Sequence, residues 1–294
     1  MDSFWSNFVQ TTQELYSSRS IRFRKDNAAL WIGQIGVQPG MKVLEMGCGG
    51  GLFCHRIKQA VPQVEITGLD FDEGHIRFAK DKTAQLGLDC EFVCGDALAA
   101  PYADETFDLV FSYTVAEHLP PEKFFAEQKR LLKPGGRICV MGVRPRLNLR
   151  QAPAPSSPEE DALWEKLWKD VPDMDRQRNV GGYAMGEREY PQRLEAAGFK
   201  NVTANLFTVM DFAPDSADIA PEIAREMIED RRTGMLEPMK KALSLRPDNL
   251  TAEEKQKLLG FINAHADERM AKYEAGEHLW DFTTSTVLCV CGTK

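Results

Sequence analysis

Val43-Leu44-Glu45-Met46 runs straight into Gly47-Cys48-Gly49-Gly50-Gly51, so a short buried strand ends in a turn made almost entirely of bare backbone. That junction limits the chain to folds in which a strand feeds a helix across a tight glycine turn. A side chain at Gly47, Gly49 or Gly51 would block the peptide N–H groups or strain the turn, because only glycine visits positive φ freely. A second apolar strand, Val64-Glu65-Ile66-Thr67-Gly68-Leu69-Asp70, closes on an acid nineteen residues after Gly51.

A glycine turn followed at this distance by an acid suits a nucleoside ligand, whose ribose hydroxyls the acid can accept. Two ligand classes use the arrangement, nicotinamide dinucleotides and S-adenosylmethionine. The dinucleotide fingerprint Gly-x-Gly-x-x-Gly needs glycine at position 52, where this chain has Leu52. Glu45 also sits badly beside a pyrophosphate and well beside the ammonium and sulfonium of a methionyl group.

Further along, Phe92-Val93-Cys94-Gly95-Asp96-Ala97, Phe107-Asp108-Leu109-Val110-Phe111-Ser112 and Leu131-Leu132-Lys133-Pro134-Gly135-Gly136-Arg137 follow in order. With the glycine turn they resemble the class I S-adenosylmethionine-dependent methyltransferases, in the type 11-like branch that acts on small molecules. The resemblance implies an α/β, Rossmann-like sheet of seven mostly parallel strands with helices on both faces. The last strand, Thr283–Cys291, would be antiparallel. It also implies S-adenosylmethionine as cofactor and S-adenosylhomocysteine as product. Gly47, Gly49 and Gly51 would meet the methionyl moiety, Asp70 the ribose, Phe71 the adenine face, and Asp96 and Ala97 its amino edge. Glu45 would lie near the methionyl amine, reached also by the backbone carbonyls of Tyr113 or Thr114. Tyr16, in Leu15-Tyr16-Ser17-Ser18-Arg19, resembles the aromatic with which relatives cover the sulfonium. Its other reading is a ring on a packing stripe. Nucleic-acid amino methyltransferases carry Asn or Asp, two prolines and an aromatic after the fourth strand. Ser112-Tyr113-Thr114-Val115 stands there instead.

Lys and Arg total 36 against 44 acids, a net charge of -8, and so acidic a chain lacks the footprint of a general nucleic-acid binder. The start, Met1-Asp2-Ser3-Phe4-Trp5-Ser6-Asn7-Phe8, has no basic-then-apolar run, and no apolar stretch is long enough to span a bilayer. A cytoplasmic location with no membrane partner is expected. The seven cysteines form no disulfide-like framework, which suits a reducing compartment. No Cys-x-x-Cys or His-x-x-x-His pair occurs, so no metal is expected, and the cysteines read as buried free thiols.

Strand signals at both ends place residues 1–294 in one domain, and a chain of this length can bury core enough for a single sheet. Residues 1–40 form a helical cover, with Phe4, Trp5 and Phe8 and later Leu30, Trp31 and Ile35 at helical spacing. Residues 41–143 hold the cofactor. An insertion follows over 144–190, then a helix and sixth strand over 191–213, a helical insertion over 214–282 and the last strand over 283–294. Arg144, Arg146 and Arg150 stand where the fifth strand reaches the crevice and could grip a carboxylate or phosphate, although solvated loop charge is the commoner use of such arginines. Leu163, Trp164, Leu167 and Trp168 form i,i+4 pairs on one short helix. Two helical blocks joined around Leu245-Arg246-Pro247-Asp248-Asn249 carry methionines at helical intervals, as a lid, a cap or a contact with a second copy.

Methyl transfer is an in-line displacement that asks the protein to align a nucleophile and exclude water. A hydroxyl or protonated amine acceptor also needs a base. His118, read as beginning the helix after the fourth strand, is the catalytic candidate. Glu117 faces elsewhere on such a helix. His55, His75, His265 and His278 read as ordinary surface or core residues. Two other classes remain open: a protein that binds the cofactor without turnover, and a nicotinamide oxidoreductase.

Overall fold

Strand β1 (Lys42–Met46) alternates strictly although both its faces are buried: Val43 joins one hydrophobic layer, Leu44 and Met46 the other. Such a strand belongs inside a sheet covered on both sides. The computed structural model describes residues 11–151, 156–173 and 180–294. Its contacts divide the chain into two compact units. Among the described residues, the first comprises 11–147, 180–209 and 285–294, and the second 148–151, 156–173 and 210–284.

The first unit holds most of the sheet. In chain order come α1 (Thr12–Arg22), α2 (Ala28–Ile35), β1, α3 (Leu52–Ala60), β2 (Glu65–Asp70), α4 (Glu73–Leu86), β3 (Glu91–Cys94), β4 (Phe107–Tyr113), α5 (Pro121–Leu131) and β5 (Leu132–Val143). The sheet order is β3-β2-β1-β4-β5, all parallel, with the C-terminal strand (Phe282–Thr293) antiparallel to β5. The expected antiparallel last strand is therefore present. On one side of the sheet Phe23, Trp31, Phe53 and Tyr113 meet with ring centroids 4.6 to 5.7 Å apart, edge-on or tilted, as aromatic quadrupoles prefer. The other side is filled by Leu44, Met46, Val110, Phe124, Phe125, Tyr190 and Leu194. A further short helix, Glu189–Ala196, supplies the last two.

Helix starts follow their sequence signals. Thr11 and Glu14 form a reciprocal capping box at α1, and Asp72 accepts the Gly74 and His75 N–H groups at α4. Gly51, at φ +80°, begins α3 with no side-chain cap, leaving its first N–H groups open to a ligand.

The second unit is built on β6 (Arg150–Gln151), α6 (Pro158–Trp168) and two long helices after the edge strand β7 (Lys200–Phe212). Counting Glu189–Ala196 as α7, these long helices are α8 (Pro221–Leu245) and α9 (Ala252–Glu274), and the C-terminal strand is β8. Leu163 and Leu167 of α6 pack with Met239, Ala242, Leu258 and Ile262, and Trp164 is half-buried against them, whereas Trp168 of the second expected pair is exposed. Arg269 of α9 binds both Asp215 and Asp281 and crosses the unit's polar centre.

Several details differ from the sequence reading. The sheet has eight strands where seven were expected, the addition being the two-residue β6 paired to Phe282 and Thr283. β3 stops at Cys94, so Asp96 and Ala97 lie in the turn beyond it. The Leu131–Arg137 turn falls inside β5 as an irregularity in its pairing with β4, because Gly135 turns at φ +75° without breaking the ladder. His118 does not begin α5. It ends a separate 3₁₀ turn, Ala116–His118, since Pro120 and Pro121 hold the helix start back. Phe4, Trp5, Phe8 and Pro153 lie outside the described residues.

Candidate active site

β1, β4 and β5 are parallel neighbours, so the glycine turn, the loop after β4 and the end of β5 share one edge of the sheet, where ligands of open α/β sheets bind. Gly47, Gly49 and Gly51 adopt φ of +74°, +54° and +80°. Each is also closely faced: an added Cβ at Gly47 would stand 2.4 Å from Val115 Cγ2, at Gly49 3.0 Å from Leu15, and at Gly51 2.6 Å from Phe92. The turn is thus compressed from three directions and admits nothing larger than glycine.

Asp70 holds this turn. Its Oδ2 accepts the Gly49 N–H at 2.7 Å, while Oδ1 accepts the Asp72 N–H at 2.9 Å and faces His75 Nδ1 at 3.3 Å. A carboxylate has about four acceptor positions, so one remains on Oδ2 for a hydroxyl. His75, read as an ordinary residue, is buried against this acid. Phe71 beside it is 69% exposed, an aromatic face with open space before it. Asp96 lies exposed in the turn after β3, its Oδ1 accepting the Leu98 N–H at 2.8 Å, with Ala97 half-buried next to it.

α1 lies over the glycine turn. Tyr16 packs its ring against Phe78 and His55 and stands 3.3 Å from where a Gly50 Cβ would be. Thr83 donates its hydroxyl to Ala79 O and so accepts His55 Nε2–H, which leaves His55 Nδ1 to accept the Tyr16 hydroxyl at 3.2 Å. Burial holds the His55 pKa down to about 4. Tyr16 is therefore fixed in place by a core histidine, and its packing role and its place at the turn coexist.

Arg19, one helical turn beyond Tyr16, is a residue the sequence reading passed over. Its Nη2 donates to Thr114 Oγ1 at 3.1 Å and its guanidinium lies 5.2 Å over the Tyr113 ring. Burial lowers its pKa, opposed by the nearby Tyr113 and Glu45. The i,i+3 offset from Tyr16 was the available signal, since it puts both on one helix face. Tyr113 is itself buried, its hydroxyl accepting Arg22 Nη1, and Thr114 takes φ +54°, a conformation few non-glycine residues adopt. Glu45 is buried with Cys54 Sγ donating to its Oε2 at 3.1 Å. Desolvation pushes its pKa up to about 8, so the carboxyl is neutral at pH 7 in this arrangement.

Past Thr114 the loop carries Glu117 and His118. The Gly181 N–H donates to His118 Nδ1 at 2.9 Å, which places the proton of the neutral ring on Nε2. Glu117 is mostly buried, and its Oε2 has no hydrogen-bond partner among the described residues. Desolvation raises its pKa against the pull of Arg144 and Arg19. At the end of β5, Arg144 is not a solvated loop charge: its side chain is 12% exposed, 4.8 Å over the Tyr190 ring. Nη1 donates to Val143 O, and Nε lies 3.5 Å from Glu187 Oε1 as an ion pair without a hydrogen bond, while Nη2 is buried without a hydrogen bond among the described residues. Gly142 leaves the room for this, since a Cβ there would meet Nη1 at 3.2 Å. Arg146 and Arg150 are exposed.

The cradle, the spare acceptor on Asp70, the open Phe71 face and the half-buried Arg19 together fit the nucleoside ligand that the resemblance implies. Comparison with known proteins agrees. A family model described as a methyltransferase domain matches residues 44–140. Demethylmenaquinone methyltransferases of Staphylococcus aureus are 31% identical over 179 residues, covering 59% of this chain and 74% of theirs. Among solved structures, phosphoethanolamine N-methyltransferase 2 of Haemonchus contortus, determined with phosphomonomethylethanolamine and S-adenosylhomocysteine, superposes at a TM-score of 0.55 with 14% identity. That alignment covers all of this chain and 60% of the Haemonchus protein. The YcgJ protein of Bacillus subtilis gives 0.51 with 17% identity, over 92% of this chain and 99% of its own. At such identities these two structures speak to the fold alone.

Proposed function

Because this chain belongs to the class I S-adenosylmethionine-dependent methyltransferases, we propose that it methylates a small molecule that gives a hydrogen bond to Glu117 and sets an anionic oxygen against Arg144. The observation that carries this reading is the pair of polar atoms at the sheet edge that have no hydrogen bond among the described residues, Glu117 Oε2 and Arg144 Nη2. Buried groups of this kind cost roughly 1–3 kcal/mol each while unpaired, and more when charged, which a polar ligand would recover.

The cofactor supplies an electrophilic methyl carbon on its sulfonium. Around it the glycine turn would let the ligand approach bare backbone, the Gly47, Gly49 and Gly51 N–H groups themselves being held by Leu69 O, Asp70 Oδ2 and Cys48 O, and Arg19 is placed to pair a carboxylate. Asp70 would receive a ribose hydroxyl at its spare acceptor position, Phe71 would cover the adenine face, and Asp96 with Ala97 would meet its amino edge. Glu45 and the carbonyl of Tyr113 or Thr114 would lie near the ammonium, whose charge would favour loss of the Glu45 proton. Tyr16 closes the turn from α1 and excludes water.

We assign the proton-accepting role to Glu117 rather than His118. The Gly181 N–H occupies Nδ1, the one nitrogen of the neutral His118 ring that could take a proton. The carboxyl of Glu117, with its raised pKa, is closer to the pH at which a base works well. The acceptor is not nucleic acid, given the acidic surface, and no described helix is long and apolar enough to cross a membrane. The free cysteines suit a reducing cytoplasm, and a second copy of the chain remains a partner for the exposed helices.

Methyl transfer from labelled cofactor to a panel of hydroxylated carboxylic acids, phosphorylated amines and demethylmenaquinol tests the reading. Turnover should appear on an acceptor that has both a donor and an oxyanion. Glu117→Gln should slow kcat by about a hundredfold while S-adenosylhomocysteine binding stays within about twofold. Arg144→Met should act mainly on KM. Full activity in both variants would overturn the proposal.

A further inference from the structure

Three cysteines that read in the sequence as buried free thiols come together on the sheet. Cys139 of β5 stands directly opposite Cys291 of β8, and Cys289 lies two residues back on the same face. Their Sγ atoms are 3.4 Å (Cys139 to Cys289) and 3.7 Å (Cys289 to Cys291) apart, and all three lie within 4.8 Å of one another. We propose that this cluster is a structural site for a thiophilic d10 cation of the zinc class.

The geometry is already that of a coordination shell. In the plane of the three sulfurs the equidistant point lies no more than about 2.4 Å from each, so an ion at or just off that plane reaches all three at close to a Zn–S bond of about 2.3 Å. Zinc takes a fourth ligand, and the chain offers one. The carbonyl oxygen of Gln34 is 3.8 Å from Cys289 Sγ and 3.6 Å from Cys291 Sγ. In a tetrahedral site the sulfur-to-oxygen separation is about 3.6 Å. That carbonyl belongs to the last turn of α2, beyond the reach of intrahelical donors, and beside Arg137 Nη2 it faces the two thiols, so it has a lone pair turned to the cluster.

The charges close as well. Three thiolates and a divalent cation leave one negative charge, and Arg137 stands beside it, donating Nε to Ile35 O at 2.9 Å and Nη2 to Gln34 O at 3.2 Å. Binding breaks three S–H bonds, forms three metal–sulfur bonds and releases three protons to solvent. The sulfurs are at most 1% exposed, so the ion enters as the chain folds and exchanges slowly afterwards. Its effect is to tie β5, the C-terminal strand and α2 at one point.

The test is metal content and cadmium absorption of the full chain, expressed with zinc or cadmium and purified without chelator. One ion per chain is expected, with a thiolate-to-cadmium charge-transfer band that Cys94→Ser, at the exposed thiol, keeps and Cys291→Ser or Cys289→Ala loses. If those core variants fail to fold, the wild-type stoichiometry and band still decide. A folded wild-type chain with no retained ion and no band, its three thiols all free or two of them joined as a disulfide by mass spectrometry, overturns the proposal.

Discussion

The Gly49 N–H donates to Asp70 Oδ2 at 2.7 Å, so the acid that closes β2 also fixes the glycine turn that follows β1. Removing it leaves the N–H groups of Gly49 and Asp72 without an acceptor. Asp70→Ala is expected to lower unfolding free energy by about 1–3 kcal/mol in the ligand-free protein, read by urea denaturation. A variant as stable as wild type would show that the turn holds itself.

Gly47 and Val115 are in conflict for any other residue. Gly47→Ala adds a methyl 2.4 Å from Val115 Cγ2 on backbone at φ +74°, and should destabilise by about 2–4 kcal/mol. Val115→Ala in the same chain should relieve the clash component and leave the backbone strain of roughly 1 kcal/mol. A double variant no better than the single one would contradict the packing account.

His55 and Glu45 give opposite pH dependences. His55 is held neutral, with its pKa down at about 4, so the stability it contributes is complete above the unfolded value and declines as pH falls through that window. The loss is on the order of 3 kcal/mol at most, and the difference between wild type and His55→Gln across pH 7.5 to 4.5 isolates it. A parallel pair of curves would refute the neutral assignment.

Glu45, with its pKa raised to about 8, works the other way. Its neutral carboxyl contributes fully below the unfolded carboxylate range, and that contribution is lost as pH rises toward 8. Glu45→Gln keeps the shape without the titration and should gain on wild type steadily over the same rise. If wild type instead gains with pH, the buried carboxyl is charged and paired.

The sheet was legible because its signals are local. The Val43–Gly51 strand and turn, the acid at Asp70 and the order of later strands each follow from a few adjacent residues, and all fall where the sequence put them. Fine chemistry was less legible, since it depends on what the fold brings near. Arg144 looked like loop charge until Gly142 and Tyr190 gave it a buried seat. Whether Glu117 or His118 has a ring nitrogen or carboxylate oxygen to offer depends on Gly181, more than sixty residues away. Cys139 and Cys291 are joined only by strand register across half the chain. Boundaries erred where proline or glycine acted at a distance of two or three residues, as at His118 and Gly135.

Calorimetric titration of S-adenosylhomocysteine into wild type and Asp70→Asn tests the central claim, that the glycine turn and its acid seat this cofactor. Micromolar binding to wild type, weakened by about 1–3 kcal/mol in the folded variant, is the predicted result. Folded wild-type protein that takes up neither S-adenosylhomocysteine nor S-adenosylmethionine, or binding indifferent to the substitution, would contradict it.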